Sequence, residues 1–304
     1  MANVTIFGIV DNAYNMTSTT TVAGVKSKTT TVGGAYTGSE LGFKGSEDLG
    51  GGMKADLQIH FAPSTDTAAA PTGYQSHVGL SGGFGSLKAG QFFSPMFFNN
   101  ASFDASGYSA FGYNEAAVNS TATLTSNAVQ YDLPTIIQGL GVSYMTAKGE
   151  VARPAATATA LNDISNIRLT YATGALSAGI STATQKGAAG ASTKQSSSGL
   201  SYDLGMAKLM YYVTSSKATT ASVSDKGTNF GISISLGATT IGFTSSSAKK
   251  GATQIESSGS ILQVKYDLSK RTSVIAQNGS TKITSGASKG SSAAGTSVGL
   301  WHSF

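Results

Sequence analysis

Short segments in which apolar and polar residues alternate strictly recur along the chain, and they limit its fold more than any other feature. In NFGISISL (229–236) every even position is apolar, and every odd position is Asn, Gly or Ser. In MKADLQIHF (53–61) the odd positions are apolar, and the even ones are Lys, Asp, Gln and His. A period of two residues is typical of a β-strand that lies between an apolar and a polar medium.

These segments have a regular length and regular connections. About sixteen can be counted, each near the ~10 residues that a tilted strand needs to cross a bilayer. They cover approximately residues 4–12, 38–47, 52–61, 74–81, 85–92, 125–132, 139–147, 164–172, 175–183, 197–203, 206–215, 228–236, 238–246, 259–267, 271–280 and 295–304. Tight turns alternate with long loops near 14–36, 62–73, 93–124, 148–163, 184–196, 216–227, 247–258 and 281–294. We therefore predict an all-β fold, a transmembrane antiparallel β-barrel of about 16 strands that occupies residues 1–304 as one domain.

The triplet Tyr-Asp-Leu occurs at 131–133, 202–204 and 266–268, where the sixth, tenth and fourteenth predicted strands end. Strands separated by an even number end at the same rim of an antiparallel barrel, so all three triplets are expected at the short-turn rim. A Tyr on the lipid face at that height belongs to an aromatic girdle, and Asp-Leu then opens the turn.

Composition favours a protein that meets water on one face and lipid on the other. Charged residues make up 12% of the chain, where a typical soluble domain has about 25%. A soluble β-sandwich or surface-layer domain would also show alternating strands and Gly- or Asp-rich turns. The regular exchange of short and long connections, and the lack of charge on the apolar faces, favour the barrel.

Several classes of protein are excluded or disfavoured. The chain has no cysteine, which excludes disulfides, thiolate catalysis and Cys-ligated zinc. The net charge of +5 is spread along the sequence, so nucleic-acid binding is not expected. No run approaches the ~18 apolar residues of a transmembrane helix. The start lacks the basic and apolar regions of a signal peptide, which favours a mature chain preceded by an added Met1.

Four segments carry a resemblance to a known family: VTIFGIVD (4–11), LGFKGSEDLGGGMKA (41–55), VGLSGGFG (78–85) and VGLWHSF (298–304). They resemble the general porins of Gram-negative bacteria, in the branch common among β-proteobacteria. Between about 100 and 290 only the layout of strands and loops is similar.

The resemblance implies a homotrimer in the outer membrane, with short periplasmic turns and long extracellular loops. The third loop (93–124) would fold into a water-filled pore and narrow it. The implied partners are outer-membrane lipid and lipopolysaccharide, the barrel-assembly machinery through Phe304, and the ions and small hydrophilic solutes that pass.

The chain departs from this family where arginines usually line the pore wall. The positions in question hold Glu40, Lys44, Tyr74, Gln91, Trp301 and Ser303. A pore without these arginines would have a weaker transverse field, which puts the family's ion preference in doubt for this chain.

The third loop contains two carboxylates, Asp104 and Glu115. If they face the wall cations Lys44, Lys88 and Arg168, they would set up a field across the constriction, a general device for pore selectivity. The alternative, in which both are solvated loop acids, remains open.

Lys44, Lys54 and Arg168 fall on the inward parity of their predicted strands. A charge facing lipid at midplane would cost ~2–4 kcal/mol, which supports an inward position. The count of inward charges gives a small basic excess and hence a weak anion preference.

Neither catalysis nor metal binding is expected. His60, His77 and His302 are the only histidines, and His302 has lipid-facing parity. The sequence has no His-x-x-His pair or carboxylate cluster, and no cofactor motif. The predicted function is a passive, weakly selective diffusion channel. The alternatives are a substrate-preferring channel that uses the third-loop aromatics and Trp301, a structural or adhesive β-protein, and a barrel lipase.

Overall fold

The computed structural model describes residues 3–107, 124–149, 163–187 and 191–304. Within these ranges the chain forms seventeen strands and one short helix, α1 (Pro95–Ala101). The strands are β1 (Asn3–Thr20), β2 (Lys26–Gly33), β3 (Glu40–Gly50), β4 (Met53–Ala62), β5 (Thr72–Gly82), β6 (Gly85–Phe93), β7 (Leu124–Asp132), β8 (Leu140–Ala147), β9 (Asp163–Thr173), β10 (Leu176–Lys186), β11 (Ser192–Asp203), β12 (Ala207–Ala218), β13 (Asp225–Leu236), β14 (Thr239–Lys250), β15 (Ile255–Asp267), β16 (Thr272–Ile283) and β17 (Ser292–Ser303). The described part of the chain contains no helix long and apolar enough to cross a membrane.

The strands form one closed antiparallel barrel. From β3 to β17 each strand pairs with the next, and β17 pairs with residues 9–20 of β1. The other edge of β1 is shared, because residues 13–20 pair with β2 and residues 3–9 pair with β3. In the described residues β2 and β3 therefore act as one interrupted wall strand, and the predicted barrel of sixteen wall strands is confirmed.

The interruption between β2 and β3 is stabilised by a carboxylate. Asp11 Oδ2 accepts hydrogen bonds from the backbone N–H groups of residues 35–38, at 3.2, 2.8, 2.9 and 2.8 Å. Asp11 is only 2% exposed. Backbone donors that lose their strand partner need another acceptor when they are buried, and Asp11 supplies it.

The predicted loop bounds are wrong at the long-loop end of the barrel. The predicted loop 14–36 contains the end of β1 and all of β2. Strand pairing also continues through 192–196, 247–250 and 281–283, which were assigned to loops. Polar residues, mainly Ser, Thr and Lys, occupy both faces there, so the apolar alternation stops while the backbone ladder continues. The connection predicted near 62–73 is confirmed between β4 and β5.

The two faces of the wall differ as the alternation predicts. Apolar side chains such as Phe230 and Leu262 are exposed on one face, whereas polar ones such as Asn229 and Gln263 are buried on the other. Helix α1 lies against the polar face, which is therefore the inner face, and the apolar face is the outer one. Such an outer surface is stable against lipid rather than water.

The tyrosines of the three Tyr-Asp-Leu triplets lie on the outer face beside the short turns. Tyr202 and Tyr266 are exposed, with the same parity as the apolar side chains of β11 and β15. The carboxylate of Asp203 accepts a hydrogen bond from the N–H of Gly205 at 2.8 Å and so shapes its turn. The predicted girdle positions and turn openings are confirmed.

The end of the chain joins the barrel seam. Gly8 donates its N–H to the carbonyl of Phe304 at 3.2 Å, and the N–H of Phe304 donates to the carbonyl of Gly8 at 3.0 Å. A Cβ at position 8 would lie 2.5 Å from Cζ of the Phe304 ring, so only glycine leaves room for that ring.

Replacing Asp11 should destabilise the barrel. In Asp11→Ala the N–H groups of residues 35–38 lose their acceptor, and one unsatisfied buried group costs about 1–3 kcal/mol. We expect the folded band on an SDS gel to convert to the unfolded band at a clearly lower temperature. The matched control is Asp66→Ala, whose exposed carboxylate accepts a hydrogen bond from Ser64. Equal melting of the two variants would contradict the role assigned to Asp11.

Candidate functional site

The third loop begins with a short helix that the sequence analysis did not predict. Ser94 Oγ accepts the N–H of Phe97 at 3.2 Å, and Pro95 occupies the first turn of α1. A Ser-Pro pair at a helix start is a recognisable signal, because Ser caps well and Pro lacks the N–H that would be unpaired there.

Glu115 lies outside the described residues.

The buried face of α1 is fixed to the inner wall by polar side chains. The N–H of Met96 donates to Asn166 Oδ1 on β9 at 2.8 Å. On β11, the hydroxyl of Ser197 accepts from Asn99 Nδ2 at 3.0 Å and donates to Asn100 Oδ1. Both asparagines are fully buried, so these bonds decide how the helix is placed.

Beyond the helix the loop lies in close contact with glycines of the wall. A Cβ at Gly199 would lie 2.0 Å from the Phe103 ring, and a Cβ at Gly231 would lie 2.7 Å from Cβ of Ala105. The wall therefore carries no side chains under residues 103 and 105, which lets the loop approach the backbone closely. The described half of the loop runs along the inner face from β10 to β14.

Asp104 is buried on this wall. It is 4% exposed, so its interpretation as a solvated loop acid is wrong. Its Oδ1 accepts hydrogen bonds from the N–H and hydroxyl of Ser106, at 2.8 and 2.7 Å, and from Thr244 Oγ1 on β14 at 3.1 Å. Asp104 thus holds the loop to the wall, and its effect on ion flow remains a prediction.

Arg168 is the predicted cation that the structure brings to the loop. It lies on the inner parity of β9, and its Nη2 donates to Ser102 Oγ at 3.0 Å. Ser102 ends α1, and its hydroxyl also donates to the carbonyl of Phe98 at 2.6 Å. A positive charge is therefore fixed at the C-terminal end of the helix, where the backbone carbonyls favour it.

The three predicted lysines lie on the inner parity of β3, β4 and β6. Lys44 and Lys54 are exposed on the pore side, and Lys88 is half-buried. The ammonium of Lys44 is 5.2 Å from the ring centre of Phe7, and that of Lys88 is 4.4 Å from the ring centre of Phe92. Cations over aromatic faces are weakly attracted to them. Among the described residues none of these lysines has a carboxylate within ion-pair distance.

Sequence reasoning missed a buried cluster at the positions where the porin pattern has arginines. Glu40 Oε2 lies 3.0 Å from Nε2 of His60, which is only 3% exposed. The His60 ring makes edge contacts with Phe7 and Tyr74, with centroids 5.2 and 4.9 Å apart. His60 on β4 is paired with Gly42 on β3, and Glu40 lies two positions from Gly42 on the same face, so Glu40 and His60 are diagonal neighbours. Two departures from the arginine pattern, Glu40 and Tyr74, therefore meet at one histidine.

A series of aromatic rings continues from Tyr74 to α1. Phe93 stacks on Phe97 with centroids 4.3 Å apart, and Phe97 meets Phe98 edge-on at 5.5 Å. Phe98 is 40% exposed. Trp301, which was predicted to act with these rings, lies on β17, where its indole N–H donates to a threonine hydroxyl 3.0 Å away.

The histidines are parts of the wall, as predicted. His77 Nε2 is 3.9 Å from Asp56 Oδ2, and His302 on the outer face lies 2.9 Å from the hydroxyl of Thr272. No described hydrogen bond joins His60 or His77 to a serine. The described ranges also hold no group of three His, Cys, Asp or Glu that could bind a metal.

Comparison with known proteins gives one family and one architecture. A family model described as Gram-negative porin matches residues 1–285. The major outer membrane protein P.IB of Neisseria gonorrhoeae is 42% identical over 101 residues, which cover 32% of this chain and 28% of that protein. That of Neisseria meningitidis serogroup A is 38% identical over 99 residues, 31% of this chain and 30% of that protein. The aligned region thus spans less than a third of these relatives.

Solved structures agree over the full length. The anion-selective porin from Comamonas acidovorans superposes with a TM-score of 0.85 at 26% identity and covers 100% of both chains. The trimer form of OmpT from Vibrio cholerae gives 0.70 at 12% identity, covers 100% of this chain and 99% of that one, and shows the fold alone. With the family model matching nearly the whole barrel, this chain belongs to the Gram-negative porin family, whose barrels are channels of the outer membrane.

Proposed function

We propose that this protein is a passive diffusion channel for ions and small hydrophilic solutes, without enzymatic activity. The observation that carries the proposal is a closed wall with a polar inner face, on which the described half of the third loop lies flat. A barrel of sixteen strands is wide enough to leave an aqueous lumen. The loop would narrow this lumen without closing it, so hydration and width would decide what passes.

The inner wall is suited to water rather than to a packed core. Its inward side chains are mainly Ser, Thr, Asn and Gln, many of them bonded to one another along the wall. Gln277 donates to Gln263 at 2.6 Å and accepts a hydrogen bond from the hydroxyl of Ser297 at 3.3 Å. Side chains that bond to one another in this way compete poorly for a passing solute, which favours diffusion that does not saturate.

We propose a weak anion preference. Lys44, Lys54, Lys88 and Arg168 supply positive charge on the inner face, while the Oδ1 of Asp104 is occupied by Ser106 and Thr244. The similar porin from Comamonas acidovorans is described as anion-selective. The arginines of the family pattern are missing here, so the preference should be weaker than a full arginine wall would give.

The proposed partners follow from the family and from the surface. A porin of the same fold has been solved as a trimer, and we propose a homotrimer for this chain. Outer-membrane lipid and lipopolysaccharide would surround the assembled barrel. Phe304, which lies at the seam against Gly8, would be the signal for the assembly machinery.

Single-channel recording in a planar bilayer under a KCl gradient tests the channel and its selectivity. We expect large steps in the current, often in threes. The reversal potential should be close to zero, with the sign that indicates a slight preference for chloride over potassium. Lys44→Gln combined with Arg168→Gln should move the reversal potential towards cations, because two inward positive charges are lost. Lys270→Gln, in an exposed short turn, is the control and should not move it. Folded protein that forms no steps would contradict the channel.

Releasing the loop from its anchor should widen the pore. Asp104→Ala with Thr244→Val removes the hydrogen bond between loop and β14. Loss of one buried partner costs about 1–3 kcal/mol, which raises the population of displaced loops roughly 5–150-fold. We expect higher and noisier conductance in the same recordings. Thr182→Val, an outward change on β10, is the control, and equal traces for both would exclude this role of Asp104.

The exposed aromatic end of α1 favours a second candidate, a channel that prefers aromatic anions. Phe98 offers a ring to the pore next to Ser102, which holds the guanidinium of Arg168. Benzoate should then block the KCl current saturably. Phe98→Ala should weaken the block roughly two- to tenfold, as expected for ~0.5–1.5 kcal/mol of ring stacking. The outward variant Phe43→Ala is the control, and a linear response to benzoate would leave only the unselective channel.

A further inference from the structure

We propose that four lysines on the outer face, Lys194, Lys217, Lys226 and Lys249, bind the phosphate groups of an anionic lipid in the leaflet at the long-loop side. They lie at the long-loop ends of β11, β12, β13 and β14, four adjacent strands. This lysine band faces away from the pore, so the proposal does not depend on what the channel conducts.

The lysine band lies just beyond the part of the wall that suits hydrocarbon. On β13 the outward positions read Lys226, Thr228, then four apolar residues towards the short turn. On β11, β12 and β14 the same order recurs, with Lys followed by Ser and then by apolar side chains. Lysine thus occurs one or two layers of hydroxyls above the apolar belt, where lipid headgroups meet water.

Like charges face one another within the band. Lys194 is the direct cross-strand partner of Lys217, and Lys226 is the direct partner of Lys249. Like charges directly opposite on one face of a sheet destabilise it. Among the described residues only Lys249 has a carboxylate within 4 Å, Glu256 at 3.0 Å. An external anion would relieve the repulsion at Lys194, Lys217 and Lys226, which have no such carboxylate among the described residues.

A recess between the second pair offers further donors. Its lining includes Lys226, Lys249, Thr228, Ser247 and Ser258, together with one carboxylate, that of Glu256. The hydroxyls of Thr228 and Ser247 lie 2.7 Å apart across the two strands. Ammonium and hydroxyl groups converging on one recess match the oxygens of a phosphate, which accepts several charge-assisted hydrogen bonds.

The inner face at the same height shows the contrast. Lys250, next in the chain to Lys249, points inward and lies 3.5 Å from Asp225. Glu256 on β15 bounds the band on one side, and on the other side the outward Lys186 of β10 is opposite Asp163 of β9. Between these borders the surface is positive, which suits a phosphate-bearing headgroup better than the same face of a second, equally positive copy.

The test measures binding of lipid A that carries two phosphates to the purified protein in detergent, by native mass spectrometry. A lysine near an anionic lipid surface is worth about fivefold in affinity. Lys226→Gln with Lys249→Gln should therefore weaken binding roughly 25-fold. The control Lys250→Gln should bind like the unchanged protein, and lipid A without phosphates should bind the unchanged protein as weakly as the phosphorylated form binds the double variant.

Three results would overturn the proposal. Equal binding of phosphorylated lipid by the double variant and the unchanged protein would show that the lysines do not hold it. Equal binding of the dephosphorylated lipid would assign the contact to the acyl chains. Full competition by inorganic pyrophosphate at the concentration of the lipid would identify the site as one for a free anion. The conductance of the double variant, recorded in parallel, should not change, so the failure of this proposal is distinguishable from failure of the channel.

Discussion

A strand that crosses hydrocarbon must pair every backbone N–H and C=O with another strand, because lipid offers no partner. The rest of this structure depends on that constraint. The sheet avoids free edges by closing β17 onto β1, and the last residue adds two backbone bonds to Gly8. Where one wall strand is interrupted, at residues 34–39, the carboxylate of Asp11 takes the place of the missing strand. Because closure pairs the backbone groups, the side chains can be apolar on the outer face and polar on the inner face.

The freedom of the inner face explains how a loop becomes part of the wall. Small residues such as Gly199 and Gly231 lower the surface, and Ser197, Asn166 and Thr244 supply the polar contacts. The loop in turn contributes carboxyl and amide groups that form hydrogen bonds with side chains of that wall. Charges of both signs, such as Lys44, Lys54 and Asp56, remain on the inner face. Because they are spread over several strands, a broad, weakly selective channel fits the geometry better than a specific binding site.

The sequence predicted what a two-residue period can encode. Strand number, the outward tyrosines and the inward lysines follow from parity alone, and all agree with the barrel. Parity failed at the long-loop ends, where Ser and Thr on both faces hide strands such as β2. Parity cannot predict the Glu40–His60 contact or the packing of Phe103 on Gly199, because these contacts join residues that are distant in the chain. The Ser94-Pro95 start of α1, in contrast, is a local signal that the sequence carries.

The central claim is an open, water-filled passage whose width and not its affinity decides what crosses. Swelling of liposomes that contain the purified protein, in neutral sugars of graded size, measures this directly. The account predicts rates that fall steeply with sugar size and rise in proportion to sugar concentration for every sugar tested. Absence of swelling with folded protein, or a rate that saturates for one sugar, would contradict it.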